Sequence, residues 1–331
     1  MKMKKVMALL LSMTMVAGMS VSSFADEKLT IGESEEKMIY DVLDLEEGEE
    51  YQISGETFCK EGEEITIPGN DGVEFYKQIP FTEEELQDIE EYYGKYSQDS
   101  SLYGFDNSWV QIKNTKINPY RCIAQLKITW TDGSYNFGTA AAVGDGAVLT
   151  AAHCIYNPAQ PKKMKKIELF FGRNGTSYVL KAEGKKAYLP AGWKELSDVE
   201  LSKDYAVIVV DKAVTNQTGT LSYSTVIPTT SDTITLTGYP YKTGSSTYNA
   251  LNCYKDTGKI LGYYTNKVAY KHNINCTNGD SGAPLYRDYG DDWVVCGIHS
   301  GDFNINESSG AAKTIDSKVF NLIRNAEQRG A

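Results

Sequence analysis

Short, strand-like runs separated by turn residues are the feature that most constrains the fold of this 331-residue chain. They begin near Trp109, and each is rich in Val, Ile, Tyr or Thr and bounded by Gly, Asn, Asp or Pro. This pattern is typical of an all-β barrel or sandwich. The runs cover residues 122–128, 140–149, 167–171, 178–180, 205–210, 233–236, 260–264 and 293–298.

One stretch near the end of the chain, Thr314 to Gln328, favours a helix instead. Its apolar residues recur at helical spacing, and Asp316 or Thr314 lies where a helix N-cap is needed. The residues predicted to share the buried face are Ile315, Val319, Leu322 and Ile323. We therefore expect a mostly β domain that ends in a helix.

The N-terminus has the three parts of a secretory signal. Lys2, Lys4 and Lys5 precede the apolar run Val6 to Met19, and the small residues Ser23 and Ala25 come after it. An N-terminal membrane anchor is the alternative, but the run is short for a spanning helix and polar residues interrupt it. Residues 1–25 are thus predicted to be a signal peptide, cut after Ala25, and the mature protein to be secreted and free of the membrane.

Charge divides the rest of the chain into two blocks. Residues 26–100 hold 24 Asp and Glu against five Lys, whereas the residues from 101 onward carry a net charge of +5. Such an acidic block is either a disordered tail or a removable pro-segment that masks the next domain or helps it to fold. Its position favours a pro-segment, residues 26–101, ending between Tyr93 and Asp106. Opposite charges would attract it to the catalytic domain, residues 102–331, at low salt.

The stretch from Cys276 to Pro284 has the composition of a nucleophile on a tight turn. Ser281 comes directly after Asp280 and lies between Gly279 and Gly282, which allow a sharp bend and leave room for a substrate carbonyl. Such a turn can direct the N–H groups of Gly279 and Ser281 to one point, as in an oxyanion hole. Gly, Ser, Asp and Asn are also ordinary turn residues, so a nucleophile requires a base and an acid elsewhere.

Two other sites supply candidates for those roles. His153, one of three histidines, ends an apolar strand, and Asp204 precedes the buried run from Tyr205 to Val210. Each has a structural alternative, a core histidine or a surface aspartate that starts a strand, and Asp198 is a weaker rival acid. The order His, Asp, Ser with spacings of 51 and 77 residues makes three separate structural roles hard to sustain.

These three blocks resemble the triad blocks of the chymotrypsin family. The matching stretches are Thr150-Ala151-Ala152-His153-Cys154, Asp204-Tyr205-Ala206-Val207-Ile208 and Gly279-Asp280-Ser281-Gly282-Ala283-Pro284, in the family's order. The resemblance covers about residues 109–331. It implies two six-stranded antiparallel barrels with the site in the cleft between them. Ser281 would be the nucleophile, His153 the proton carrier and Asp204 the group that orients the histidine.

The resemblance extends to the bacterial glutamyl endopeptidases. Gly297-Ile298-His299 is similar to the block in which that branch places a histidine that binds the substrate carboxylate, and 112–120 is similar to the start of its mature enzymes. Asn275 stands where a trypsin-like enzyme has Asp, so a preference for basic residues is not expected. Cleavage after Glu, less readily after Asp, is the specificity this implies.

One position departs from that branch. Some of its members have Thr or Ser five residues before the nucleophile, where the hydroxyl helps to bind the carboxylate, but this chain has Cys276. Thr277 and Ser300 are the candidates for supplying the missing hydroxyl. His272 matches no motif and is predicted to be structural.

Six cysteines in an exported protein suggest disulfides. Family members often pair the cysteine after the catalytic histidine with one near position 138, which is glycine here. The resemblance then leaves Cys122 as a partner for Cys154, and Cys253 as one for Cys276. Cys59 lies in the acidic segment, so its removal would leave an odd number.

No cluster of metal ligands and no nucleic-acid motif is visible, so neither a cofactor nor a nucleic acid is expected as a partner. The basic run 162–166 is interpreted as a solvated loop. The predicted protein is a monomeric serine endopeptidase that acts on proteins or peptides and carries its own acidic pro-segment. Two alternatives remain: a protease of the same fold with another or narrow specificity, and a non-catalytic binding protein on that fold.

Overall fold

The computed structural model describes residues 28–30, 38–45, 50–55, 64–66 and 109–330, the last range without 198, 242–248, 291 and 303–309. The predicted signal peptide, residues 1–25, lies outside the described residues. The chain divides into two compact units, of which the first comprises residues 1–35 and 59–74. In it, strands β1 (Lys28–Thr30) and β4 (Glu64–Thr66) pair antiparallel.

The second unit, residues 36–58 and 75–331, contains the first of two closed barrels. The six strands of this barrel are antiparallel, and the β6–β9 and β10–β11 pairings close it. They are β6 (Ile123–Trp130), β7 (Tyr135–Ala142), β8 (Ala147–Thr150), β9 (Met164–Phe171), β10 (Leu180–Pro190) and β11 (Ala206–Val210).

Side-chain alternation explains why these segments form barrel strands. Along β9 the side chains of Ile167, Leu169 and Phe171 are fully buried, while Glu168 and Phe170 between them are partly exposed. A period of two is what a strand with one covered face requires. Every residue of β11 is buried, in agreement with its unbroken Ala-Val-Ile-Val-Val sequence.

A hairpin from the acidic segment joins the sheet of the first barrel. It consists of β2 (Met38–Asp44) and β3 (Glu50–Gly55), and β2 pairs with the end of β10. No strand pattern is visible in the sequence of this segment, because its few apolar residues are scattered among acidic ones. The pairing with a barrel strand is a long-range effect that a local pattern does not contain.

The second barrel also closes with six antiparallel strands, joined at the end by the β17–β18 pairing. These are β13 (Thr233–Gly238), β14 (Tyr254–Tyr263), β15 (Ala269–His272), β16 (Pro284–Asp288), β17 (Trp293–Asp302) and β18 (Gly310–Thr314). Two short strands are added at its rim: β5 (Val110–Gln111) pairs with β14, and β12 (Ser222–Tyr223) pairs in parallel with β17.

The helices of the described residues are few, and they are short except at the end of the chain. The α-helices are α1 (Ala152–Ile155), α2 (Thr215–Thr218) and α3 (Ser317–Gly330), with 3₁₀ turns at Tyr120–Cys122, Leu201–Lys203 and Thr265–Lys267. Asp316 caps α3, accepting bonds of 3.0 Å from the N–H groups of Lys318 and Val319. The predicted apolar face is buried.

The predictions of an all-β fold, two six-stranded barrels and a C-terminal helix are therefore confirmed. Among the described helices, none is long and apolar enough to cross a membrane. The same residues contain no group of three or more His, Cys, Asp or Glu that could hold a metal ion.

Candidate active site

His153 belongs to the first barrel and lies in the single-turn helix α1, directly after β8. Asp204 comes after the 3₁₀ turn Leu201–Lys203 and precedes β11. The strands β8 and β11 are neighbours, with Thr150 opposite Ala206. His153, shortly after the end of β8, and Asp204, shortly before the start of β11, therefore come together at one end of the barrel. Strand pairing thus brings the predicted base and acid into contact.

The contact between them consists of two hydrogen bonds. His153 Nδ1–H donates to Asp204 Oδ2 at 2.8 Å, and the His153 backbone N–H donates to Oδ1 at 2.9 Å. Burial alone would lower the pKa of His153, but the Asp204 carboxylate raises it well above its ordinary value. Asp204 is fully buried, so the carboxylate acts with little screening by water.

Ser281 lies in the second barrel, on a turn that only glycine can form. Gly279 and Gly282, on either side, have φ values of +91° and +82°. A Cβ at Gly282 would come within 2.1 Å of Thr150 Oγ1 and 2.4 Å of the Thr139 carbonyl oxygen. The turn therefore needs glycine both for its backbone angles and for the close approach of the first barrel.

Two threonines of the first barrel hold this turn in place. Thr139 Oγ1 donates to the Gly279 carbonyl at 2.7 Å, and the Thr139 N–H donates to the Ser281 carbonyl at 2.8 Å. Thr150 Oγ1 in turn donates to the Thr139 carbonyl at 2.9 Å. Within the described part of the chain, the backbone N–H groups of Gly279 and Ser281 donate no hydrogen bond.

A cavity of about 450 Å³ lies where the barrels meet. Its lining combines His153 and Cys154 from the first barrel with Asn278, Gly279 and Ser281 from the second. The remaining lining residues are Ile128, Trp130, Tyr135, Asn136, Phe137, Asn157, Gln160, Lys162 and Tyr241. The cavity thus offers an apolar and aromatic wall beside the histidine and the serine.

Ser300, a predicted substrate contact, lies beside the His153–Asp204 pair. Its hydroxyl donates to Asp204 Oδ2, the oxygen that also accepts from His153. This gives the Asp204 carboxylate three donors and makes Ser300 part of the support of the His153–Asp204 pair. Its contact with substrate stays a prediction.

His299 is tied to the turn of Ser281 through its backbone. Its carbonyl accepts from the Gly282 N–H at 2.8 Å, and its own N–H donates to the Ala283 carbonyl at 2.9 Å. The imidazole is 2 % exposed, and burial, with smaller effects of His272 and His153, lowers its pKa well below the ordinary value. His299 is therefore neutral and lies close to the serine.

His272, which matched no motif, contacts His299 directly. His272 Nε2 and His299 Nδ1 are 3.3 Å apart, and burial lowers the pKa of His272 to about 4. A Cβ at Gly310 would touch both the His272 ring and Cys276 Sγ, so the two side chains flank the same glycine. The two histidines lie on strands 27 residues apart in the chain, and only their alternation toward one face could have suggested the contact.

Thr277, the other predicted substrate contact, is held through its main chain. Its N–H donates to Asp280 Oδ2 at 3.0 Å, and Asp280 is almost fully buried. Among the described lining residues of the cavity, neither Thr277 nor His299 appears.

The expected disulfides are not formed in the described part of the chain. Its five cysteines, Cys122, Cys154, Cys253, Cys276 and Cys296, form no disulfide with one another. Cys122 Sγ donates to the Thr218 carbonyl at 3.0 Å, whereas Cys154 Sγ lies 3.9 Å from His153 Nε2. The predicted pairings Cys122–Cys154 and Cys253–Cys276 are therefore both absent. In the first pair, each sulfur contacts a different group.

Two closed antiparallel barrels with a histidine–aspartate pair and a serine where they meet are the architecture of chymotrypsin-fold serine endopeptidases. The sequence profile described as Trypsin matches residues 109–323. The chain belongs to the trypsin family.

Individual relatives place it near one branch of that family. The glutamyl endopeptidase of Bacillus licheniformis is 28% identical over 188 residues, which are 56% of this chain and 54% of that protein. The chain therefore spans about half the length of this curated relative. The resemblance to the glutamyl endopeptidase branch is confirmed.

Solved structures show the same fold. A Glu endopeptidase in complex with MPD has a TM-score of 0.58 at 23% identity, covering 67% of this chain and 98% of that chain. Protease Anisep from Arthrobacter nicotinovorans has a TM-score of 0.54 at 17% identity, covering 66% and 98%.

Proposed function

We propose that the protein is a secreted serine endopeptidase that cleaves peptide bonds through an acyl-enzyme. The observation that carries this proposal is the bond between His153 Nδ1 and the buried Asp204, next to the cavity that Ser281 lines. Because Nδ1 is bound to Asp204, Nε2 is the nitrogen left to act as the base. It lies 3.9 Å from the sulfur of Cys154, which lines the same cavity. A non-catalytic binding protein would have no need of that arrangement.

In the proposed reaction, Ser281 Oγ attacks the scissile carbonyl carbon and His153 Nε2 takes the hydroxyl proton. The imidazolium then gives this proton to the leaving amine, and water, deprotonated in the same way, releases the acyl group. Asp204 keeps the proton on Nδ1 and stabilises the imidazolium, in line with the raised pKa of His153. The Gly279 and Ser281 N–H groups would bind the oxyanion. The reaction needs no cofactor.

Ser281→Ala tests this mechanism. It should abolish both hydrolysis and labelling by a fluorophosphonate, with an unchanged far-ultraviolet circular dichroism spectrum. Ser222→Ala is a suitable control, because Ser222 donates to Asp292 at 2.9 Å, lies opposite Val294 in the strand pairing and is not among the residues that line the cavity. Undiminished hydrolysis by Ser281→Ala would exclude the serine as nucleophile.

For specificity, we propose cleavage after Glu, and less readily after Asp, with His299 as the group that binds the carboxylate. His299 Nδ1 is engaged with His272, which leaves Nε2 as the donor to substrate. An arriving carboxylate would favour the protonated imidazole and so strengthen the bond. The similarity to a glutamyl endopeptidase supports this choice.

Mapping the products of a denatured protein by mass spectrometry tests the specificity. Cleavage should cluster after Glu, and His299→Phe should lower the preference for a Glu over a Gln peptide by about 10- to 150-fold, the value of a hydrogen bond to a charged group. Clustering after small or apolar residues would instead support the alternative of a same-fold protease with another specificity. Cys276, which brings no hydroxyl, is the position that favours this alternative.

The remaining proposals concern processing. The signal peptide 1–25 would direct export, and the peptide bond between the acidic pro-segment, 26–101, and a monomeric catalytic domain, 102–331, would be cut. N-terminal mapping of the protein from culture medium should find a first residue after Ala25 in the precursor. In the processed form, the first residue should lie between Tyr93 and Asp106.

A further inference from the structure

The hairpin of β2 and β3 covers a strand edge that the barrel itself leaves open. Strand β10 pairs with β9 only over Leu180–Glu183, and beyond that its other edge is occupied by β11. The part of the first edge that β9 does not reach, residues 186–190, pairs with β2. Lys186 lies opposite Asp44, and Pro190 lies opposite Tyr40. An uncovered edge of this kind binds added strands.

We propose that residues 186–190 are a strand-acceptor site for the hairpin, residues 38–55, and that the hairpin stays bound there after the chain is cut between it and the catalytic domain. The pro-segment would then act as two additional strands of the first barrel. This differs from a diffuse electrostatic attraction between acidic and basic blocks, because it assigns a register and defined side-chain contacts.

Apolar burial on both faces of β2 supports the proposal. Tyr40 and Val42 are each 1% exposed and Leu43 is 7% exposed, and all three belong to the hydrophobic cluster that includes the core of the first barrel. Opposite Val42 lies Tyr188, which is 2% exposed. Side chains that alternate along a strand point to opposite faces, so both faces of β2 are covered. Its release would return these side chains to water.

The acidic residues of β2 are bound individually as well. Asp41 accepts from the Gly192 N–H at 3.2 Å, and Asp44 lies 3.4 Å from Lys186 Nζ. Both carboxylates are less than 10% exposed, at 6% and 7%. The Leu45 N–H continues the pairing by donating to the Lys185 carbonyl at 2.7 Å. Two of the acids that dominate this segment therefore contribute to a specific interface.

Association after cleavage can be measured on the full chain. A recognition site for a sequence-specific protease, inserted between Tyr93 and Asp106 in the Ser281→Ala variant, allows a single cut without self-digestion. Size-exclusion chromatography then tracks the two fragments at 0.1 and 1 M NaCl, concentrations at which the Debye length is about 10 and 3 Å. Binding does not require peptidase activity, so the result is independent of whether Ser281 is the nucleophile.

The fragments should elute together at both salt concentrations. Val42→Asp, which introduces a charge into the apolar interface, should release the N-terminal fragment, whereas Asp44→Asn, which removes only the charge of the ion pair, should not. Separation of the unmodified fragments at either salt concentration would overturn the proposal. So would retention of the fragment by Val42→Asp combined with its release by Asp44→Asn.

Hydrogen exchange on the uncut chain provides a second measurement. Val42→Asp should accelerate exchange in peptides covering 186–190 by about tenfold or more, since released edges lose their protection. Peptides covering β6 should be unchanged, which shows that the barrel remains folded. Equal exchange at 186–190 in the two proteins would contradict the proposed pairing.

Discussion

Removal of the Ser300 hydroxyl is the most direct test of how the site is held together. Asp204 is fully buried and accepts from His153 Nδ1, from the His153 N–H and from Ser300 Oγ. Ser300→Ala deletes one of these donors and leaves a small apolar side chain. A hydrogen bond to a charged group contributes about 1.5–3 kcal/mol. At about 1.4 kcal/mol per factor of ten, kcat/KM should fall by about 10- to 150-fold.

The pattern of the loss distinguishes support of Asp204 from contact with substrate. If Ser300 acts on Asp204, peptides with Glu, Gln or Ala before the scissile bond should lose kcat/KM by the same factor. The acid limb of the pH profile should also move to higher pH, because a carboxylate with one donor fewer raises the pKa of His153 further. The fall in kcat/KM has a separate cause: without the Ser300 hydroxyl, Asp204 is held less firmly and orients the imidazole less well. Both effects can be measured with fluorogenic peptides between pH 5 and 9.

Ser222→Ala is the matched control, since it removes a serine–aspartate hydrogen bond of 2.9 Å at a distance from His153. It should leave kcat/KM unchanged. A loss in Ser300→Ala that is confined to Glu peptides, with an unmoved pH profile, would refute the support of Asp204 and restore the predicted contact with substrate. An unchanged kcat/KM would refute both.

Three further predictions concern stability. The pKa of buried His272 is about 4 in the folded chain against an ordinary 6.5, so the unfolded chain binds a proton that the folded one does not. The free energy of unfolding should therefore fall by about 3 kcal/mol as pH drops from 6.5 to 4. Urea titrations in the Ser281→Ala background should show a smaller loss when His272→Phe is added. If the free energy of unfolding depends on pH in the same way with and without His272→Phe, the prediction is wrong. Gly282→Ala should destabilise by about 3 kcal/mol or more, because its Cβ would meet Thr150 and Thr139, whereas Gly133→Ala, with φ +84° but open space, should cost only about 1–2 kcal/mol; equal losses would exclude the close approach. Thr139→Val should cost about 1–3 kcal/mol in thermal unfolding, since it leaves the Gly279 carbonyl and the Tyr239 N–H without the threonine hydroxyl, and an unchanged midpoint would contradict that role.

Much of the fold could be predicted from local patterns. The alternation along β9, the apolar run of β11 and the capped helix α3 result from side-chain period and from Asp316, which are properties of neighbouring residues. The order of His153, Asp204 and Ser281 could be predicted because the motif around each is short and specific. The hairpin β2–β3 could not be predicted in this way, since the apolar side chains of β2 are buried only when this strand pairs with the edge of β10.

The same division applies within the site. Sequence by itself was enough to predict a base, an acid and a nucleophile, since that prediction depends on residue type and immediate neighbours. Only the tertiary structure decided that Ser300 donates to Asp204, that His272 contacts His299 and that Cys122 and Cys154 remain apart. Each of these depends on how far strand pairing brings distant side chains toward one another and on the direction in which they point. Such contacts arise from register and burial, which a linear spacing does not specify.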